Sequence, residues 1–362
     1  MLGAGMITTV PAGFLPGLQH LADRVEVVAI ASRTRASAEQ VAHDFAIGEV
    51  YDTLSEMLAR ADLDAVLNAT PGPAHYSTSR EILAAGKHLV TDKPLASTMA
   101  EADELCELAR THEVLIVSAP DDLLGQEWQE ARRLVRAGAI GRPAFARVHS
   151  SHAGPAGMAW PRDPTWFYQQ GAGPLLDMGV YGIDRITAVL GPARRVSAMS
   201  GLVEPVRRAR GGPFDGLEIH AGADDNTVLL LDFGGSTFAT LDATYNVVAT
   251  KSPLVEVFGT AGTLVVHRPD ARLTPGHLPL ELFRLDADVG AQTWTSPRAR
   301  TPDGTADLAR ARLVAHLVDC LETGSAPVTS GERARHVLEV MLGAQRSARE
   351  NRVVELETTY EW

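Results

Sequence analysis

The first third of the chain alternates short apolar strands with amphipathic helices, and that order leaves few folds open. Val25–Ala31, Ala65–Ala69, His88–Thr91 and Val114–Ser118 read as buried strands rich in β-branched residues. Between them Ala36–Phe45, Leu54–Ala61, Tyr76–Ala85 and Met99–Thr111 read as helices, the third closed by Gly86. Strands alternating with helices form βαβ units, whose strands run parallel under helices on both faces. The spacing therefore predicts a doubly wound parallel sheet. At 362 residues the chain exceeds one ordinary core. The period changes after a helix at Gly125–Ala137 and the turn Gly141-Arg142-Pro143. Ala144–Ser150, Val196–Ser200, Thr227–Phe233, Thr237–Thr244, Leu254–Gly259 and Thr263–His267 then read as strands. With few helices between them, they predict a large, open, mostly antiparallel sheet. One helix, about Leu175–Leu190, interrupts it. Ala306–Leu321 and Gly331–Glu350 read as helical, and Pro269–Thr305 as largely loop. The expected division is residues 1–121, an α/β domain, and residues 122–362, an α+β domain.

Charge narrows the partners. A formal net charge of −12 argues against non-specific binding to nucleic acid or to anionic membrane. No stretch approaches the roughly 18 apolar residues of a membrane span. No Lys or Arg precedes Arg24, which argues against a secretory signal. The expected location is the cytoplasm. Cys106 and Cys320 fall in apolar helical stretches and read as buried, reduced thiols.

Gly3-Ala4-Gly5-Met6-Ile7-Thr8 resembles G-x-G-x-x-G with Thr in the last place. Glycine lets backbone N–H groups approach a pyrophosphate, so Gly3, Gly5, Met6 and Ile7 are the expected phosphate contacts of a dinucleotide. Only Met1 and Leu2 precede Gly3, so the first strand is expected to be missing or truncated. Either the true start lies upstream, or cofactor binding is weakened. Pro11, Gly13, Pro16 and Gly17 disfavour an unbroken helix after the turn. At the end of the next strand an acidic residue would bind a ribose 2′-hydroxyl and a basic one a 2′-phosphate. The stretch Ser32-Arg33-Thr34-Arg35 holds no acid, so Ser32, Arg33 and Arg35 predict NADP in preference to NAD. The other reading of the two arginines is exposed loop charge.

Further motifs follow in a fixed order: GAGMI at the start, NATPGPAH (Asn68–His75), AAGKHLVTDKP (Ala84–Pro94), GAIGRP (Gly138–Pro143), GAGPLLDMGVYGID (Gly171–Asp184) and GSAPVTSGERARHVLEVML (Gly324–Leu342). Together they resemble the Gfo/Idh/MocA family, which includes glucose–fructose oxidoreductase and inositol dehydrogenase. The resemblance implies a Rossmann domain followed by a domain built on an open antiparallel sheet. That sheet is often used for oligomerisation, so a homo-oligomer, dimer or tetramer, is expected. The resemblance places Lys93 at the family's E-K-P lysine, with Asp92 in place of Glu. It places Asp177 at the aspartate of D-x-G-x-H, with Tyr181 in place of histidine. Relatives of the dihydrodiol dehydrogenase and glucose–fructose oxidoreductase type also carry tyrosine there. Thr70, Pro71 and His75 resemble the family's cofactor-side loop, in which His75 lines the nicotinamide or only caps its helix.

The chemistry of these residues is consistent with the resemblance. Asp177, Tyr181 and Asp184 stand at i, i+4 and i+7, which on a helix is one face. A buried structural cluster is the other reading, for Asp184 above all. Lys93 falls at the carboxyl end of a parallel strand, where ligands of doubly wound sheets bind. A phenol with a reference pKa of ~10 is a poor base at neutral pH. A nearby ammonium favours the phenolate, so Lys93 is expected to activate Tyr181 and to stabilise an alkoxide, while Asp177 orients the substrate or Lys93. Hydride would pass between a nicotinamide and a sugar-, inositol- or polyol-like hydroxyl or carbonyl. Trp160, Trp166, Phe167 and Tyr168 form an aromatic loop suited to sugar rings, with Trp166 as the substrate contact, or else a packed loop. Arg162 and Asp163 stand near it. His149 and His152 lack the neighbours of a zinc site. Arg207, Arg208 and Arg210 read as a solvated loop. Two other functions stay open: a non-catalytic sensor that binds dinucleotide or sugar, and an NAD-dependent glycosidase.

Overall fold

The computed structural model describes residues 1–59, 62–268, 277–285, 294–298 and 306–362. Two compact units make up the chain: Met1–Leu124 with Thr301–Leu338, and Gly125–Arg300 with Glu339–Trp362. Residues 301–338, which the linear division assigns to the second domain, thus return to the first.

In the first unit two helical turns, α1 (Met6–Thr9) and α2 (Phe14–Leu18), precede β1 (Ala29–Ala31). Pro11 and Gly13 separate the two, as expected of residues that break a helix. There follow α3 (Arg35–Asp44), β2 (Glu49–Tyr51), α4 (Leu54–Leu58), β3 (Ala65–Asn68), α5 (His75–Ala84), β4 (His88–Thr91), α6 (Met99–Thr111) and β5 (Ile116–Ser118). The expected extension of α4 to Ala61 lies partly outside the described residues. β1 pairs with β2, and β3 with β4 and β5, all in parallel. Leu2 joins the two groups, bridging Ala31 on one side and Asn68 on the other. The N–H groups of Leu2 and Gly3 donate to Leu67 and Ala31, both at 2.8 Å. Met1–Gly3 thus stands where the first strand was expected to be missing or truncated, and the sheet runs β2, β1, Met1–Gly3, β3, β4, β5, the order of a doubly wound fold.

One core joins distant parts of this unit. Phe14, Leu15 and Leu18 of α2 cluster with Ile30, Leu67, Val90 and Val117 of the sheet and with Leu313, Val314 and Leu317 of the helix Arg312–Thr323. Burying each large side chain contributes about 1.5–3 kcal/mol, so the returning helix is integral to the unit. On that helix His316 accepts the N–H of Val328 at Nε2, 2.9 Å away. Burial pushes its imidazole below the usual histidine range. His88, which accepts the N–H of Leu115 at 2.9 Å, is depressed for the same reason. Both neutral rings contribute stability that is full above the unfolded value of ~6.5 and is lost as pH falls through the lower folded values. The urea midpoint should therefore fall between about pH 7 and about pH 5. A double variant, His88→Gln with His316→Gln, should flatten that fall; an equal fall in the variant would contradict the assignment.

The second unit opens with α7 (Gln126–Arg136) and β6 (Pro143–His149). A π-helical turn, Leu175–Gly179, leads into α8 (Val180–Leu190). Then come β7 (Arg195–Gly201), the hairpin of β8 (Val206–Arg208) with β9 (Glu218–His220), β10 (Asn226–Gly234), β11 (Thr237–Thr244), β12 (Val255–Gly259), β13 (Gly262–Val266), β14 (Leu280–Arg284), β15 (Trp294–Thr295) and β16 (Val354–Glu355). Nine of these strands form one sheet in the order β15, β14, β13, β12, β6, β11, β10, β7, β16. Every neighbour is antiparallel except β6 with β11. β14 and β15 lie within Pro269–Thr305, the stretch expected to be largely loop; of its other residues, 277–279, 285 and 296–298 are described. Alternation on the strands explains the packing. Ala146, Val148, Leu229, Leu231, Leu241 and Val257 are buried, as are Trp128 of α7 and Ile183 and Ile186 of α8. The alternate positions of β7, β10 and β11 leave Met199, Val228, Leu230 and Phe238 exposed. Among the described residues, no helix is long and apolar enough to cross a membrane.

Candidate active site

In the first unit the sheet's carboxyl edge carries three loops in spatial succession, following Met1–Gly3, β3 and β4. The first is the glycine turn. Gly3 sits at φ +101°, and a Cβ there would come within 2.7 Å of the Ala69 carbonyl oxygen, so only glycine fits. A Cβ on Gly5 would enter open space, the room a phosphate needs to approach the backbone. The residues present thus fit a dinucleotide pyrophosphate. Thr8 is fully buried, and its hydroxyl lies 3.4 Å from the Gly3 carbonyl, so the turn accommodates the departure from glycine.

The second loop follows β3. Asn68, fully buried, donates to Thr78 and Ser79 at 2.8 and 3.0 Å and accepts from the Thr70 N–H and hydroxyl at 3.2 and 2.8 Å. This pins Thr70 and Pro71 to α5. The imidazole of His75 is buried, with its nitrogens 2.7 Å from the carbonyl oxygens of Pro94 and Thr70. His75 therefore braces the second loop to the third instead of presenting its ring to a ligand, a correction to its expected cofactor contact. In the third loop Asp92 accepts the N–H of Lys93 at 2.8 Å, and Arg310, from the returning segment, stands 3.6 Å from the same carboxylate. Lys93 is partly exposed beside it.

Ser32 and Arg33 follow the end of β1. The Arg35 guanidinium is held by Glu39 at 2.8 Å and Asp52 at 2.9 Å. Those two carboxylates, which sequence spacing does not single out, already occupy one of the two arginines expected to neutralise a 2′-phosphate.

In the second unit Asp177 lies in the π-helical turn and Tyr181 in the first turn of α8. A π turn bonds i to i+5, so uniform helical spacing no longer sets the angle between them. Asp184 is buried among the apolar residues of α8. It differs in burial from Asp177 and Tyr181, which are partly exposed. Arg185 stacks on the rings of Tyr181 and Trp128 at 5.7 and 5.6 Å. Trp166 is 48% exposed, whereas Tyr168 is buried and Trp160 meets Phe167 edge-on at 5.6 Å. The loop therefore divides into a packed half and a presented tryptophan.

Two further groups escaped the sequence reading. Tyr245 donates its hydroxyl to Asp177 Oδ2 at 2.9 Å. Arg207, expected in a solvated loop, is 6% exposed and bonds Asp225 at 2.7 Å, because it alternates inward on β8 opposite Ile219. The alternation Glu218-Ile219-His220 is the signal that marks this hairpin. His149 bonds Asp242 at 2.9 Å, and His152 accepts the Gly154 N–H at 2.7 Å. Among the described residues no cluster has the ligand set of a metal site.

Comparison with known proteins agrees with this construction. Residues 1–119 match the oxidoreductase family with an NAD-binding Rossmann fold, and residues 128–265 match the GFO/IDH/MocA C-terminal domain. An oxidoreductase of Rhizobium meliloti is 30% identical over 262 residues, 68% of each chain. D-apiose dehydrogenase of Paraburkholderia graminis is 26% identical over 345 residues, 93% of this chain and 84% of its own. The crystal structure of an NAD-binding oxidoreductase from Klebsiella pneumoniae shares the fold, with a TM-score of 0.85 at 20% identity over 99% of this chain and 98% of its own. The chain belongs to the GFO/IDH/MocA family and is an NAD(P)-dependent oxidoreductase.

Proposed function

We propose that this protein is a cytoplasmic dehydrogenase or reductase, acting on a sugar-, inositol- or polyol-like CH–OH or carbonyl group, with Lys93, Asp177 and Tyr181 as its catalytic residues. One observation carries the reading. The glycine turn, the Thr70–Pro71 loop and the Asp92-Lys93 loop stand in succession on the carboxyl edge of one parallel sheet. In doubly wound folds that edge holds the ligand. The backbone of Gly3, Gly5, Met6 and Ile7 would hold the pyrophosphate, and Thr70, Pro71, Asp92 and Lys93 the neighbouring part of the dinucleotide. When bound, the nicotinamide accepts or gives the hydride.

The chain's own groups handle the proton. In the oxidation direction Tyr181 takes the hydroxyl proton, and the Lys93 ammonium stabilises negative charge on the substrate oxygen. Asp177 accepts a substrate hydroxyl and so fixes which carbon reacts. Trp166, exposed in the loop that precedes Asp177 in sequence, offers an aromatic face to a sugar ring. A homodimer or tetramer built on the open sheet face would cover Met199, Val228, Leu230 and Phe238.

NADP is the preferred cofactor in this reading, because Ser32 and Arg33 face no competing acid between Ala31 and Arg35. The Asp52 and Glu39 contacts require Arg35 to share its charge. Initial rates with both cofactors test the preference. kcat/KM for NADP should exceed that for NAD by at least about tenfold, the scale of one charge-assisted hydrogen bond. A preference for NAD would refute it.

A further inference from the structure

Tyr245 is the residue just beyond β11, and it is 1% exposed. Three contacts fix its ring. His152 stacks on it at 5.5 Å, and Tyr168 meets it edge-on at 5.3 Å. Gly154, at φ +73°, passes so close that a Cβ there would lie 2.9 Å from the Cβ of Tyr245 and 2.5 Å from the hydroxyl of Tyr168. The Tyr168 hydroxyl in turn accepts the N–H of Ala156 at 2.9 Å.

The backbone of Tyr245 is held by a buried ion pair. Its N–H donates to the Asp225 carbonyl at 3.0 Å, and its carbonyl accepts from Arg207 Nη1 at 3.3 Å. Arg207 Nη2 donates to Asp225 Oδ2 at 2.7 Å and to Asn246 Oδ1 at 2.6 Å, and the guanidinium lies 5.3 Å from the Tyr168 ring centre. Asp225 also accepts the N–H groups of Val203 and Glu204 at 2.8 and 3.1 Å. Two desolvated charges are a costly way to stabilise a hairpin. Here they fix the rings around one hydroxyl, and that hydroxyl meets Asp177.

We propose that Tyr245 is a positioning residue: its hydroxyl, anchored by the Arg207–Asp225 pair, sets both the orientation and the ionised state of the Asp177 carboxylate. The consequence for catalysis rests on the role given to Asp177 above. Burial, and then the carboxylate itself, hold the Tyr245 phenol far above the usual tyrosine range, so it stays protonated and serves as a donor. A hydrogen bond donated to a carboxylate favours its charged form. It also fixes the plane of the group, so the direction from which a sugar hydroxyl is met is set before substrate arrives.

Tyr245→Phe removes the hydroxyl and keeps the ring. Carbon NMR of protein labelled at aspartate carboxyls follows the effect without substrate, the Asp177 signal being assigned by its loss in Asp177→Asn. Its titration midpoint should rise by about one pH unit in Tyr245→Phe, the size that one charge-assisted hydrogen bond supplies. An unchanged midpoint overturns the proposal. Turnover on the best substrate from a panel of aldoses, inositols and glycosides is the second readout. kcat should fall about tenfold with KM nearly unchanged, and the acid limb of the pH profile should move with the NMR midpoint. If Tyr245→Phe fails to fold, Arg207→Lys carries the same test, since it keeps the charge and loses the planar fork. If Asp177→Asn keeps wild-type turnover, the catalytic reading of Asp177 fails, while the NMR midpoint still decides what Tyr245 does.

Discussion

Lys93→Ala and Tyr181→Phe should each lower kcat by at least about 100-fold, the usual scale for an acid–base group, with urea midpoints close to wild type. Both side chains are partly exposed and neither belongs to a core, so their loss should spare the fold. Tyr181→Phe keeps the ring under Arg185, 5.7 Å from its centre, and removes only the hydroxyl. Lys93→Ala removes the only lysine in the loop after β4; the chain has three lysines in all, Lys87, Lys93 and Lys251. The two losses should not add. Two groups that serve one proton transfer act as a unit, so the double variant should be little worse than either single one. Steady-state rates of the four proteins measure this. Near-normal turnover in both single variants would overturn the assignment.

Arg207→Met should destabilise the second unit by about 3–5 kcal/mol, the cost of leaving one member of a buried ion pair without the other. Burial opposes the charge on Asp225, yet the Val203 N–H, the Arg207 guanidinium and the Glu204 N–H hold its carboxyl below the usual aspartate range. Without Arg207, two backbone donors and Asn246 remain for a carboxylate that is 1% exposed. Replacing both charges, Arg207→Met with Asp225→Asn, should recover part of the loss, because no uncompensated ion is then buried. Urea unfolding of the three proteins checks this. A loss under about 1 kcal/mol in Arg207→Met, the scale of an exposed pair, would contradict it.

The fold was legible where burial imposes a local period. The βαβ order needs only apolar runs and helix ends, and β11, Thr237–Thr244, falls at its expected bounds because it alternates over eight residues. β2 escaped because Glu49-Val50-Tyr51 is three residues long with an exposed start. The π turn left no mark in the pattern, since Leu175–Gly179 differs from an α-helix only in its hydrogen bonding. Lys93, Asp177 and Tyr181 stood out through the motifs around them. Arg207 and Tyr245 did not, because their partners lie 18 and 68 residues away. A run such as Arg207-Arg208-Ala209-Arg210 reads as solvated charge until a hairpin turns one of its members inward. His75 shows the reverse case: its motif marks the cofactor side, and only the packed structure shows its ring turned onto two carbonyl groups.

The proposed reaction is oxidation or reduction of a sugar-like CH–OH group through a nicotinamide, with Lys93 and Tyr181 managing the proton. Its most direct test is the rate of formation or loss of reduced nicotinamide, followed by absorbance. Purified wild type and Tyr181→Phe are each mixed with NADP or NADPH and a panel of aldoses, inositols, polyols and their oxidised forms. The wild type should turn over at least one member, and the variant should do so at least about 100-fold more slowly. Dinucleotide binding without turnover of any member, or equal rates in the two proteins, would contradict it.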